Sequence, residues 1–158
     1  MANRIPAANR QRPRAHEEFA QLHEAGQDLG DFYPIGHIFA AFPHREAALA
    51  ARQALIDDGW READCRYFDD QAVRAGSQRG LEKATLLSSI GATLKMVELH
   101  RDLAAKGCHF LLIHAPSDEL SDLAMATLRR GPISLAQRYQ RFTIETLAQN
   151  DPLTGRQK

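Results

Sequence analysis

The amino-acid sequence predicts an α+β domain: a ferredoxin-like sandwich with a four-stranded antiparallel sheet and additional helices inserted between strands 2 and 3. Two half-units carry that reading, each an apolar run, a turn and then a helix. The first is His37-Ile38-Phe39-Ala40-Ala41-Phe42, then Pro43-His44 and an Ala-rich helix stopping at Gly59. The second is His109-Phe110-Leu111-Leu112-Ile113-His114, then Ala115-Pro116-Ser117 and a helix stopping at Gly131. Between Asp69 and Lys106 there is neither a strand-like run nor a proline, so the insertion reads as helix.

Taken in order, residues 1–14 are Asn, Arg, Pro, Ala and Gln with a lone Ile5, too little apolar surface to offset ordering entropy. A disordered basic tail is expected there, followed by a single domain over 15–148 and a flexible C-terminal tail over 149–158. Phe19 and Leu22 suggest a short helix before the first strand. The helix from His44 to Asp58 places Ala48, Ala51, Arg52 and Leu55 at helical spacing. Gly59 suits the left-handed position after its last turn, and Trp60 can fold back onto that turn. Ala63–Phe68 reads as a second strand, at an edge because of its charges.

Asp70 is a candidate cap for a short helix through Ala75. After a break at Gly76–Gly80, a long helix is expected from Leu81 to Lys106, closed by Gly107. Leu87, Ile90, Leu94 and Val97 form one stripe, and Leu86, Met96, Leu99 and Leu103 widen it. An arc this wide needs more than one surface, either the domain's own sheet or the same helix of a second subunit. A homodimer is the expected partner arrangement, with Leu94, Val97, Leu99, His100 and Leu103 at its interface.

His109–His114 is apolar enough to be a central strand. Ser117 is a good N-cap, with Asp118 and Glu119 where negative charge suits the helix dipole. Residues 133–147 read as the last strand. Their apolar phase slips between Tyr139 and Phe142, which predicts a bulge or bend. The expected sheet order is 4-1-3-2 with the helices on one face; the alternative puts the long helix on the opposite face.

Composition narrows the function classes. The chain has 158 residues, 44% of them apolar and 25% charged, enough for one domain with its own core. Twenty basic and 20 acidic side chains cancel, which argues against a nucleic-acid partner. No apolar run approaches the ~20 residues of a membrane span, and no secretory signal precedes the domain, so a cytoplasmic location is expected. Cys65 and Cys108 are too few for a disulfide scaffold and read as buried thiols.

The stretch from Ile38 to Phe68, with Ile38-Phe39, Ala47-Ala48, Leu55 and Gly59, resembles the small bacterial general-stress domain of the heat-induced stress protein type. His109–Ile113 followed by Ser117-Asp118-Glu119 is similar to the later strand and helix of related proteins. The resemblance spans about half the chain and implies a stress-associated protein of unknown activity, with no catalytic residue carried over.

For chemistry, an antiparallel pairing of strands 1 and 3 would bring His37 near His114 and His44 near His109. Two imidazoles can begin a metal site, but a stable one wants a third or fourth ligand. No HxH or HExxH spacing reinforces either pair, so neither a metal nor any other cofactor is expected. His37, His114, Tyr139 and Arg138 are the candidate ligand-binding residues. Arg138 and Arg141 flank Tyr139, yet the aromatic pairs of an RNA-binding sheet are missing. The preferred reading is a non-enzymatic stress-associated or regulatory homodimer. The alternatives are a small-molecule or metal sensor built on the strand-end histidines, and a small enzyme with a His/Tyr proton-transfer site.

Overall fold

The computed structural model describes residues 35–76, 91–141 and 143–157, with the side chains of 91–94 left aside. The expectations for the basic tail 1–14, the helix bearing Phe19 and Leu22, the loop after Gly76 and the stripe residues Leu86, Leu87 and Ile90 lie outside them. So does the side chain of Leu94.

The elements are β1 (His37–Phe42), α1 (Arg45–Asp57), a 3-10 turn (Glu62–Asp64), β2 (Cys65–Phe68), α2 (Gly91–Ala105), β3 (His109–His114), α3 (Asp118–Leu128), β4 (Leu135–Tyr139) and β5 (Ile144–Gln149). Residues 70–76 are also helical. All strand pairs are antiparallel, and the sheet order is β2-β3-β1-β4-β5. The class is α+β, as expected. The strand count is corrected from four to five: the single last strand is instead a hairpin.

That hairpin closes where the Gln140 amide donates to the Thr143 carbonyl at 2.8 Å. The phase slip read from the sequence is this turn. The bulge lies further on, where the register shifts between Ala136 and Gln137 and leaves Leu147 as the extra residue of β5. Ile144 therefore packs toward one face of the sheet while Leu147 and Ala148 pack toward the other.

The sheet has a core on each face. On one, Ala47, Ala48 and Leu55 of α1 and Leu120, Ala124, Met125 and Leu128 of α3 cover Ile38, Ala40, Phe42, Leu111, Ile113 and Ala136. Alanines on both helix and strand let the helix backbone approach closely. On the other, Met96, Leu103 and Ala104 of α2, with Val73, cover Phe39, Ala41, Phe110, Leu112, Leu135 and Tyr139. The simplest expectation, helices on one face, gives way to the three-layer alternative. The reason is in the strands: the six residues of β1 are all buried, so both parities need cover.

Local signals close the elements as their residues suggest. His44 caps α1 by accepting from the Ala47 amide, and Ser117 caps α3 by accepting from Leu120. Helix 70–76 is capped by Asp69, which accepts from the Ala72 amide, rather than by Asp70. After α1, Gly59 has φ +108°, the Gly59 amide donates to Ile56 and the Trp60 amide donates to Leu55. This pair of bonds satisfies the last carbonyls, and only glycine takes that φ without strain. The same two bonds close α2 at Gly107 and Cys108.

Asp58, buried at the end of α1, accepts from the Thr127 hydroxyl at 2.5 Å and pairs with Arg130 at 2.5 Å, tying α1 to α3. Residues 151–156, expected as part of a flexible tail, fold back on the start of β4. The Ile133 amide donates to Gly155, and the Pro152 carbonyl accepts from the Ser134 hydroxyl. Cys65 and Cys108 are both buried free thiols.

Candidate functional site

In the β1–β3 ladder, His37 is the Cα partner of His114; in the β1–β4 ladder, it is the partner of Tyr139. Side chains at paired positions share a face, so His114, His37 and Tyr139 form a row across three adjacent strands, on the α2 side of the sheet. The ring centroids of His37 and His114 are 4.8 Å apart, tilted by 47°. The Nδ1 atom of His37 lies 3.1 Å from the Ile35 carbonyl. A carbonyl only accepts, so Nδ1 carries the hydrogen.

The row extends through Asp64, one residue before β2. Its Oδ1 lies 3.9 Å from His114 Nδ1, and its carboxylate is gripped by Arg61 at 2.8 Å. The hydrogen bond to Asp64, foremost, raises the Arg61 pKa above its ordinary range; partial burial opposes it. The Trp60 indole donates to the His114 carbonyl at 3.3 Å. His37 is buried, and the side chains of His114 and Asp64 are 15% and 12% exposed, so this end of the sheet is protected without being sealed. Chemically, the row brings a carboxylate and two imidazoles together beside a phenol.

Three of the four expected ligand-binding residues are thus brought together. Arg138 is separated from them. It lies one residue from Tyr139 on β4, so its side chain emerges on the opposite face, where it donates to Asp118 at the start of α3 at 2.5 Å. Tyr139 itself is fully buried in the second core, and its hydroxyl donates to the Met96 sulfur at 2.7 Å. That makes it a wall of the row and an anchor for α2.

The weaker pair, His44 and His109, takes partners elsewhere. His44 is spent on the α1 cap through Nδ1, with the Glu46 carboxylate 3.2 Å from the same nitrogen. The Glu46 carboxyl is held below its ordinary value, first by its own backbone amide and also by His44. His109 Nδ1 lies 2.6 Å from the Tyr67 hydroxyl, and its Nε2 lies 3.9 Å from Asp70. Among the described residues, no group of three or more His, Cys, Asp or Glu is arranged to hold a metal ion.

Of the expected interface residues, Val97, Leu99, His100 and Leu103 have described side chains, and all four are fully or partly buried. Leu103 is buried in the second core and Leu99 packs against it. His100 is buried against Phe39, ring centroids 4.6 Å apart, with Nε2 3.2 Å from the Gln137 side-chain oxygen. Val97 is buried too, whereas Lys95, Glu98 and Asp102 are exposed. Of the two surfaces left open for the long helix, Leu99, His100 and Leu103 take the domain's own sheet.

Sequence reasoning missed Asp64, Arg61, Tyr67 and Asp70. Asp64 was read only as part of the second strand, which in fact begins at Cys65; its approach to His114 follows from the β2–β3 register, in which Cys65 opposes Ile113. Among the described residues, no helix is long and apolar enough to cross a membrane. Comparison with protein-family models, with curated proteins and with solved structures finds no match to the chain.

Proposed function

We propose that this chain is a small-molecule-binding regulatory domain whose ligand is recognised at the Asp64–His114–His37 row. The observation that carries the reading is the cross-strand His37–His114 pair, 4.8 Å between ring centroids, with Asp64 beside it. Rigid strands position both imidazoles, and elements rather than loops make the more reliable scaffold for a site. Trp60, Arg61 and Asp64 come from the segment between α1 and β2, so three parts of the chain converge there. Ligand at such a place is sensed by the sheet and by α2 together, because Tyr139 in the same row bonds Met96 of that helix.

Native mass spectrometry of the purified chain, without added ligand, tests the reading. The expected result is a small-molecule adduct on the parent that is lost from the folded His37→Ala/His114→Ala variant. An adduct retained equally by the variant, or a parent with no adduct and no imidazole NMR response to a metabolite extract, overturns it.

A further inference from the structure

The opposite end of the sheet holds a second constellation that the proposed function does not use. Tyr67 of β2, His109 at the start of β3 and Asp70 at the start of helix 70–76 come from three different elements. The Tyr67 hydroxyl is 2.6 Å from His109 Nδ1, and His109 Nε2 is 3.9 Å from Asp70 Oδ1. The Tyr67 and His109 rings are stacked, 14° from parallel with centroids 5.9 Å apart. With the phenol donating to Nδ1, the imidazole hydrogen sits on Nε2 and faces the carboxylate. This is the order of groups in a nucleophile–base–acid relay: a hydroxyl, a base in hydrogen-bond reach, and a carboxylate close enough to stabilise the base once it is protonated.

We propose that Tyr67 is a nucleophile toward carboxylic esters, with His109 as its base and Asp70 as the positioning residue. His109 Nδ1 takes the phenol proton as the Tyr67 oxygen attacks the acyl carbon. The ester C–O bond then breaks, and the imidazolium returns the proton to the departing oxygen. Water, deprotonated by the same imidazole, attacks the acyl-tyrosine; the released phenolate recovers the proton, and the net change is ester plus water to acid plus alcohol.

Two features support it. Tyr67 is half-buried on an edge strand, and the His109 and Asp70 side chains keep 16% and 30% of their surface, so an ester can reach all three. Second, Tyr67 needs a base. Burial, foremost, pushes its phenol above the ordinary range; Arg45 opposes this, while Asp69, Asp70 and Glu46 add to it. A tyrosine so placed is unreactive unless a neighbour takes its proton, and His109 is within hydrogen-bond distance.

The test uses the full chain and p-nitrophenyl acetate, with peptide mapping of the acetyl group and the rate of p-nitrophenolate release. Tyr67 is expected to be acetylated ~10²-fold faster than the tyrosine of N-acetyltyrosinamide, the scale of general base assistance. His109→Gln should remove that advantage, Tyr67→Phe should remove the acetylated peptide, and Asp70→Asn should slow the reaction with recovery in Asp70→Glu. Acetylation of Tyr67 no faster than the free amide overturns the proposal, whatever the variants do. So does an unchanged rate in a His109→Gln variant whose amide NMR spectrum shows the fold intact.

Discussion

His100 of α2 and Gln137 of β4 meet inside the protein, imidazole Nε2 to amide oxygen at 3.2 Å, and this contact joins the long helix to the sheet. It uses a group that titrates near neutral pH in water, in a place where water does not reach. Burial lowers the His100 pKa from 6.5 to about 4, with the Gln137 bond opposing the shift.

The first prediction follows from that shift. The unfolded chain binds a proton at His100 near pH 6.5, whereas the folded chain does so only near 4. Between those values the unfolded state holds more protons, so folding stability falls as pH falls. The contribution is fully present above pH 6.5, is lost on descent to about 4, and is on the order of 3 kcal/mol. Urea midpoints measured between pH 6.5 and about 4 should fall less steeply for His100→Gln than for the parent. Parallel curves would refute the assignment.

Leu103 separates packing on the sheet from packing on a second subunit. It is 5% exposed, among Phe39, Phe110 and Leu112. Leu103→Ala should therefore cost roughly 2–5 kcal/mol of unfolding free energy, as core truncations do. A variant that keeps the parent's stability but sediments with a smaller mass would instead put Leu103 at a subunit interface.

Gly155 locks the C-terminal turn onto β4. Its φ is +65°, and an added Cβ would meet the Ile133 amide nitrogen at 2.7 Å and the Pro132 carbonyl carbon at 2.9 Å. These are backbone atoms and have no rotamer to yield. Gly155→Ala should destabilise by at least the ~1–2 kcal/mol of a left-handed backbone with a side chain. Amide exchange should locate the loss at Ile133 and Asp151, whose amides donate to the Gly155 and Arg156 carbonyls of the turn. Unchanged protection at both would count against the clasp.

How far the site was legible follows from its geometry. His37 and His114 could be paired on paper because antiparallel neighbours run in opposite directions, so the start of β1 meets the end of β3. Arg138 and Tyr139 are neighbours on one strand and so face opposite sides; which of the two shares the histidines' face depended on the β1–β4 register, with His37 opposite Tyr139. The Tyr67–His109 contact was out of reach, since it rests on the exact β2–β3 register, Tyr67 opposite Leu111 and thus one diagonal step from His109.

By itself the sequence determined what acts over a few residues. The caps at His44 and Ser117, the closing turn at Gly59 and the two strands with their following helices depend on neighbours within one helical turn or one pleat. Tertiary structure alone decided that 133–147 folds back into β4 and β5, that α2 covers the face opposite α1 and α3, and that residues 151–156 close on β4. Each of these is a choice between surfaces of similar apolar character. Burial by area is non-directional, so an apolar stripe states how much surface must leave water and does not state which surface receives it.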